Sequence, residues 1–416
     1  MPLMAQTPAP VAADAAGGYE VAPVLKASQI LRPEYLQGPG YQVREKVSTW
    51  SGANRYIIDS DYGLFVAEGN SLLEQRVAEI AAMNRMAEIS KGEEYGIAVV
   101  NAAKSPIELA KNLASDPVAT VSSVPKGLWK FVNRAGQEVK DATSGRKRSG
   151  YEESAAKDLL GFSKIKRELA IELHVNPYST NEVFQKELNK IAWTCFAGNA
   201  TIKGVTMGLS GGAAIVATSI SVAKTTSDVL RDSSPADLRR INQEKLMAMG
   251  IAKANAGKFL ANPAFSPWHQ TVFMAALGEM GGVKGRAELV KAAANEAEDE
   301  TDALFFTHTA KLIGILHHGD VKIDRIVILN GLPVCVAKDG RTVVALQWDY
   351  AAWTPLAARL AAAIQEFEAK NVAKDKGRKS PGHLLALSGD VSPRLRQELV
   401  ARGVEVRDRL ASGPLK

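Results

Sequence analysis

The sequence predicts an α+β protein with a mainly helical central domain, a short N-terminal β-meander and a C-terminal mixed α/β domain. Residues 41–70 consist of short segments of alternating apolar and polar residues with turns between them. Residues 71–318 show helical periodicity, interrupted by Asp-Pro, Asn-Pro and Ser-Pro breaks. Residues 319–416 begin with β-branched runs that are separated by turn dipeptides. Residues 1–40 are Pro/Ala-rich and are predicted to be extended. With 416 residues, of which 46% are hydrophobic, the chain can build sizeable cores.

The N-terminal meander is predicted from three short strands with turns between them. Apolar and polar residues alternate over 41–49, and shorter apolar runs occupy 56–58 and 64–66. The turns fall at 51–54 and 59–63, which are rich in Ser, Gly, Asn and Asp. Because so small a sheet is marginal alone, we expect it to pack on a larger part of the chain.

A long helix over about 72–91 is predicted to follow the meander. Ser71 and Glu74 match the Ser-x-x-Glu capping box, and apolar residues then recur at helical spacing. Further helix starts are predicted at the Ser-Pro pairs 234–235 and 266–267, where serine is the N-cap and proline takes the first helical position.

The C-terminal domain is predicted from β-branched runs and the turn dipeptides between them. Asn330-Gly331 and Asp339-Gly340 separate the first three runs, which is typical of tight hairpins. The predicted elements are strands at 326–329, 334–336 and 343–346, a helix at 355–370, a strand at 384–387, a helix at 393–403 and a strand at 404–406. This order, β-β-β-α-β-α-β, predicts a mixed sheet with parallel crossovers.

The net charge and the sequence motifs narrow the class of partner, and the positions of the two cysteines bear on disulfide formation. The net charge of +6 is small for this length and favours anionic surfaces without pointing to nucleic acid. The sequence has no aromatic-plus-basic motif of an RNA-binding sheet and no Cys/His finger spacing. Cys195 and Cys335 fall in apolar segments and are predicted to be buried thiols, although spacing alone leaves one disulfide open.

The first eighteen residues are aperiodic and indicate export. Residues 3–5 are typical of the end of a signal peptide, and 6–8 of the start of a mature exported chain. We therefore predict a protein of the bacterial periplasm or cell envelope, whose complete signal is absent or truncated in this sequence. The alternative is a disordered cytosolic tail.

Residues 204–223 contain no charge, and Gly204, Gly208 and Gly212 lie four apart within them. On a helix these glycines form one smooth stripe that a neighbouring helix can approach closely. Twenty residues would also match a bilayer core, but Gly, Ser and Thr dilute the hydrophobicity of the run. We predict a tightly packed helix inside a helical domain and leave bilayer contact open.

The same run contains G-x-S-x-G, the pattern of a hydrolase nucleophile elbow, with Ser210 as the nucleophile. Its acid and base would come from later residues, for example Asp232 or Asp302, followed by His308, His317 or His383. An elbow needs parallel strands upstream, and residues 72–200 are predicted to be helical. The serine hydrolase is therefore the alternative hypothesis.

A basic amphipathic segment is predicted over about 118–148. Basic and aromatic residues alternate with an apolar face, a pattern that suits an anionic bilayer surface or a groove on a partner protein, whereas an ordinary surface helix is the simpler interpretation. The candidate contact residues are Lys126, Trp129, Lys130, Phe131, Arg134, Arg146, Lys147 and Arg148.

Ser388, Gly389 and Asp390 mark a possible ligand position. They follow a predicted strand and precede a predicted helix, which is where α/β sheets bind ligands and where a helix N-terminus favours anions. Asp390 would oppose an anion unless a cation intervened.

No other pattern predicts a metal or cofactor. The histidines lack ligand spacing, the His317–His318 pair suits a helix C-terminus, and no nucleotide-binding fingerprint occurs. The sequence therefore predicts a non-catalytic exported cell-envelope protein with a binding or scaffolding role, whose partner is a protein or an anionic membrane surface. Its oligomeric state stays open.

Overall fold

The computed structural model describes residues 14–15, 18–50, 52–91, 161–197, 224–329, 331–374 and 382–416. Within these ranges the chain forms thirteen helices, an antiparallel N-terminal sheet and a mixed C-terminal sheet. The predicted α+β fold class is confirmed.

The N-terminal sheet is built around its longest strand, β7. One edge of β7 (Ala53–Ser60) pairs with β8 (Gly63–Glu68) from Arg55 onward, whereas the other edge pairs first with β6 (Lys46–Trp50) and then with β5 (Tyr41–Val43). The segment before residue 41, which is predicted to be extended, contributes two short strands to this sheet, and it also forms a separate two-stranded sheet and two short helices. The elements are β1 Asp14–Ala15, β2 Tyr19–Glu20, β3 Val24–Lys26, α1 Ala27–Ile30, α2 Pro33–Leu36, β4 Gln37–Gly38, β5 Tyr41–Val43, β6 Lys46–Trp50, β7 Ala53–Ser60 and β8 Gly63–Glu68.

Nine helices occupy the described middle of the chain. The predicted Ser-Pro starts are confirmed, since Ser234 Oγ accepts the N–H of Asp237 and Ser266 Oγ that of His269. The helices are α3 Asn70–Lys91, α4 Phe162–Glu172, α5 Glu182–Ala197, α6 Lys224–Asp232, α7 Pro235–Ala248, α8 Lys253–Leu260, α9 Pro267–Glu279, α10 Arg286–Glu296 and α11 Glu300–His318.

The C-terminal sheet has the strand order β15-β13-β11-β10-β9 and follows the predicted succession of elements. Its first three strands form antiparallel hairpins, and β13 and β15 join in parallel. The elements are β9 Ile323–Leu329, β10 Leu332–Ala337, β11 Thr342–Leu346, β12 Tyr350–Ala351, α12 Pro355–Lys374, β13 His383–Leu387, β14 Asp390–Val391, α13 Pro393–Val400 and β15 Val404–Arg407.

Two large apolar cores each combine a sheet with helices. The N-terminal sheet shares its core with α3, α4 and α5, whereas the C-terminal sheet shares its core with α8 to α13. Cys195 lies in the first core and Cys335 in the second; both are buried, unpaired thiols. Helix α11 contributes to both cores, because its Leu304 packs in the first and most of its other apolar residues pack in the second.

The two sheets meet at the loop after β11. Asp349 Oδ2 accepts the N–H groups of Asn54 (2.9 Å) and Asn70 (3.1 Å), while the N–H of Asp349 donates to the carbonyl of Gly52 (2.7 Å). Gly52 has a positive φ of 89°, and a Cβ there would lie 2.6 Å from the Trp348 ring. The glycine therefore permits both the turn and the close approach of the two sheets.

A second contact between the two halves is a buried polar network that we call the Arg76 cluster. Arg76 Nη1 donates to Glu79 (2.9 Å) and its Nη2 to Glu300 (3.1 Å), so one guanidinium joins α3 to the start of α11. Side chains of the loop before α5 complete the network. Its members are Gln75, Arg76, Glu79, Ser179, Thr180, Asn181 and Glu300.

After β15 the chain returns to the N-terminal part. The N–H of Arg32 donates to the carbonyl of Pro414, and the N–H of Lys416 to that of Ile30, both at 2.9 Å. Leu31 and Leu415 form an isolated antiparallel bridge. Residues 409–416 therefore lie across the junction between the two halves.

Three predicted features lie outside the described residues: the export-like residues 3–8, the basic segment 118–148 and the uncharged run 204–223. Among the helices that can be described, none combines the length and the apolar character needed to cross a membrane.

Candidate functional site

A polar cavity of about 240 Å³ lies where the two halves meet. Its wall is formed by the first turn of α3, the middle of α11, the residues that follow β11 and β13, and segment 409–416. The side chains on this wall come from positions between 32 and 416, so the folded chain assembles the cavity from its whole length.

Ser71 and His308 form the central pair on the wall. Ser71 Oγ lies 3.3 Å from His308 Nδ1, and Gln347 Nε2 donates to the same Oγ at 3.3 Å. With Gln347 as the donor to Oγ, the Ser71 hydroxyl hydrogen is available to His308 Nδ1. Both Ser71 and His308 are only 7% exposed.

The position of Ser71 corrects the predicted capping box. Helix α3 begins at Asn70, so Ser71 already lies in its first turn, and its hydroxyl contacts His308 and Gln347. Glu74 accepts a hydrogen bond from the Tyr35 hydroxyl at 3.3 Å. The capping-box interpretation is therefore wrong, because both side chains turn to tertiary partners.

Helix α11 faces α3 with a second pair of polar groups. His308 and Lys311 are three residues apart on α11, and Ser71 and Glu74 are three apart on α3, so each pair shares a helix face. Burial lowers the pKa of Lys311 to about 8, and the charge of Glu74 opposes that change. Lys311 is thus a half-buried amine within electrostatic reach of the buried Glu74 carboxyl.

His308 is held in its neutral form. Burial lowers its pKa well below the ordinary 6.5, and the positive charges of Lys311 and His269 act in the same direction. At neutral pH the ring therefore presents one nitrogen that can accept a proton.

Three cationic side chains also line the cavity: Arg32, Arg409 and Lys416. Arg32 Nη2 donates to the carbonyl of Gly413 (2.5 Å), and Arg409 Nη1 donates to that of Lys416 (2.8 Å). These contacts fix the two arginines against segment 409–416.

The structure brings the predicted ligand position to the edge of the cavity. Ser388 lines the wall, and its hydroxyl donates to the carbonyl of Trp348 at 2.8 Å. A Cβ on Gly389 would lie 2.1 Å from the Asp349 carbonyl oxygen, so the glycine allows two chain segments to cross. Asp390 does not line the cavity and pairs with Arg409, a cation of the kind that the sequence argument required.

The other predicted site residues divide into two groups. Among those described, His317 Nδ1 accepts the N–H of Ile323 beyond the end of α11, and His383 contacts Glu368, so neither lies on this cavity. Within the described ranges, no group of three or more His, Cys, Asp or Glu side chains could hold a metal ion. The predicted residues outside the described ranges are Gly204, Gly208, Ser210, Gly212, Lys126, Trp129, Lys130, Phe131, Arg134, Arg146, Lys147 and Arg148.

Sequence reasoning missed most of this site. Ser71 and Glu74 were interpreted as a cap, and His308 appeared only as a possible partner of Ser210. The one available signal was a polar pair, His308 and Lys311, inside an otherwise apolar helix.

Comparisons of the chain with protein-family models, with curated proteins and with solved structures find no match.

Proposed function

We propose that this protein binds a small anionic molecule in the cavity between α3 and α11. The observation that carries the proposal is the charge of the wall, which holds Arg32, Arg409 and Lys416 but only one carboxylate, Glu74. Glu74 is itself close enough to Lys311 to interact with its charge. Guanidinium groups are well suited to carboxylate and phosphate oxygens because they donate in a planar fork.

The size and the remaining polar groups of the cavity support a small ligand. A volume of about 240 Å³ corresponds to about eight water molecules at about 30 Å³ each, and it lies below the usual range for drug-sized ligands. Asn70, Gln347 and Ser388 add polar groups that can orient the ligand.

The Asp390–Arg409 pair adds to this proposal. Arg409 Nε binds Asp390 Oδ1, and its Nη1 is held by the Lys416 carbonyl, so the guanidinium is fixed on two sides. A cation that is already ordered loses little side-chain entropy when it binds an anion. Asp390 therefore positions the arginine, with its own carboxylate off the cavity wall.

The cellular setting of this binding is also a proposal. The Pro/Ala-rich start suits an exported protein of the bacterial envelope, and the net charge of +6 suits an anionic membrane surface or an acidic protein partner. Fractionation of native cells tests the location: recovery of the protein in the cytosolic fraction would argue against the envelope.

Calorimetric titration with inorganic phosphate and with succinate at low salt tests the binding proposal. We expect at least one anion to bind the wild type with a Kd of about 1 mM or tighter. Arg32→Gln and Arg409→Gln should each weaken that binding by about tenfold, since a charge-assisted hydrogen bond contributes about 1.5 kcal/mol or more.

Arg240→Gln is the matched control. Arg240 is an exposed arginine on α7 that pairs with Glu244 and is not part of the cavity wall, so its loss should leave the affinity unchanged. The proposal is wrong if neither anion binds at a concentration of about 10 mM, ten times the expected Kd. It is also wrong if the cavity variants bind as tightly as the control.

A further inference from the structure

We infer that Ser71 is a nucleophile for acyl transfer, that His308 is its general base, and that the substrate is a small carboxylic ester carrying an anionic group. The inference rests on the ligand cavity of the proposed function, and it adds a covalent step that simple binding does not need. It names a different serine from the predicted elbow at Ser210.

The geometry of the pair suits proton transfer. Ser71 Oγ and His308 Nδ1 are 3.3 Å apart, a loose hydrogen bond of the kind that tightens when substrate binds. Gln347 Nε2 holds Oγ from another side, and the N–H of Gln347 donates to Thr309 Oγ1 on α11. The hydroxyl, the base and the amide that orients the hydroxyl are therefore fixed by α3, α11 and the end of β11.

The surroundings of His308 keep its ring neutral at neutral pH, so that one ring nitrogen carries no proton. Lys311 on the same helix and His269 on α9 disfavour a positive charge on the ring, and burial acts in the same direction. Glu74 on α3 lines the same cavity. A neutral imidazole next to a hydroxyl has the free nitrogen that a general base needs, and its lowered pKa makes it a weaker base than an exposed histidine.

The start of α3 supplies stabilisation for the negative charge that develops during acyl transfer. Ser71 lines the cavity and lies in the first turn, where its backbone N–H has no partner inside the helix. This end of the helix carries the positive part of its dipole. Donors of this kind stabilise the oxyanion of a tetrahedral intermediate.

The reaction balances without a cofactor. Ser71 Oγ bonds to the ester carbonyl carbon as its hydroxyl proton passes to His308 Nδ1. The carbon–alkoxide bond then breaks, and the departing alcohol takes the proton from His308. Water next attacks the acylated serine and gives its proton to His308, which returns it to Ser71 Oγ as the acid leaves. The net change converts ester and water to acid and alcohol.

The chain contains a second serine–histidine pair that makes a matched control. Ser266 Oγ lies 3.2 Å from His269 Nδ1, and both side chains are buried. Ser266, however, caps α9 through the N–H of His269 and does not line the cavity. Its hydrogen bond resembles that of Ser71, but it lies away from the cavity.

Mono-4-nitrophenyl adipate, an ester with one free carboxylate that does not close readily to an anhydride, is the test substrate. We expect release of nitrophenolate and an adipoyl adduct, detected by intact-protein mass spectrometry and mapped by peptide sequencing to Ser71. Ser71→Ala should abolish the adduct, and His308→Gln should slow its formation at least about 100-fold. Ser266→Ala and Ser210→Ala should react at the wild-type rate.

The outcomes separate the two proposals. The inference is wrong if the wild type forms no adduct, if the adduct maps to another residue, or if Ser210→Ala abolishes it. The mapping on wild-type protein does not depend on the folding of any variant. If succinate binds but Ser71 is not acylated, the binding function stands and the assignment of Ser71 as a nucleophile is wrong. If Ser71 is acylated but neither anion binds, the nucleophile stands and the binding function is wrong.

Discussion

Helix α3 carries two buried polar regions that differ in how their groups are satisfied. In the Arg76 cluster, Glu79 accepts hydrogen bonds from Arg76, Ser179 and Asn181, so the carboxylate is enclosed by protein donors. One turn earlier, Ser71 and Glu74 face a cavity of about 240 Å³. The same helix therefore contributes to a filled network and to an open site.

The difference shows in the charges that each region holds. Burial acts to raise the pKa of Glu300, but Arg76, His269 and hydrogen bonds from Thr180 and Gln75 lower it overall, so the carboxylate stays charged. Burial instead lowers the pKa of His308 on the cavity wall, and that of Lys311 one turn further along α11. A filled network fixes charge for stability, whereas the cavity retains groups that can exchange protons.

Loss of the central cation of the Arg76 cluster should have the largest effect. We expect Arg76→Ala to lower the free energy of unfolding by about 3–5 kcal/mol, because it leaves Glu79 and Glu300 buried without a counter-charge. Urea denaturation at pH 7 measures this change. Arg240→Ala removes an exposed pair and should change stability by no more than about 0.5 kcal/mol.

A loss below about 1 kcal/mol for Arg76→Ala, in the range of an exposed pair, would contradict the assignment of the cluster as a structural network. The distinction between the two regions of α3 would then have no energetic basis.

Asp349 is a buried carboxyl group whose pKa shift has no cation among its causes. It therefore shows what burial does to a carboxyl group in the absence of a counter-charge. Burial and nearby Glu68 raise its pKa to about 7, although the N–H groups of Asn54 and Asn70 lower it. A folded-state pKa above the unfolded value near 3.8 contributes stability at low pH that is lost as the pH rises through 7.

Asp349→Asn should therefore become more stable relative to wild type as the pH rises. An amide oxygen can still accept both N–H groups but carries no charge, so the difference should grow by about 2–3 kcal/mol between pH 5 and 8. Denaturation across this range measures it, with exposed Asp339→Asn as the control. Titration of His269 and His308 occurs in both proteins and cancels. A difference that does not vary with pH would show that Asp349 is charged throughout.

The fold could be predicted because its signals are local. Ser392 Oγ caps α13 through the N–H of Leu395, as the Ser-Pro pair predicted, and the turn dipeptide Asp339-Gly340 joins β10 to β11. Each of these features is decided by residues within a few positions of one another. Their order along the chain was enough to predict the mixed C-terminal sheet.

The site could not be predicted because its signals are not local. Ser71 and His308 are 237 positions apart, and each has an ordinary local explanation as a cap or an apolar-helix histidine. Ser388 was found only because the end of a strand is a general ligand position. Arg409 became relevant once the fold placed it against Asp390.

Ser71 lies on the cavity wall and Ser179 in the Arg76 cluster, so replacing each with alanine compares the two regions directly. The loss of Ser71 should have the smallest effect on stability. Ser71→Ala should lower the free energy of unfolding by less than about 1 kcal/mol, because its bonds are long and water in the cavity can replace the hydroxyl. Ser179→Ala should cost more, about 1–3 kcal/mol, since it removes a donor from Glu79, which is fully buried. Urea denaturation of both variants measures the difference. If Ser71→Ala is as destabilising as Ser179→Ala, the Ser71–His308 hydrogen bond is a structural contact of the same kind as the Arg76 cluster.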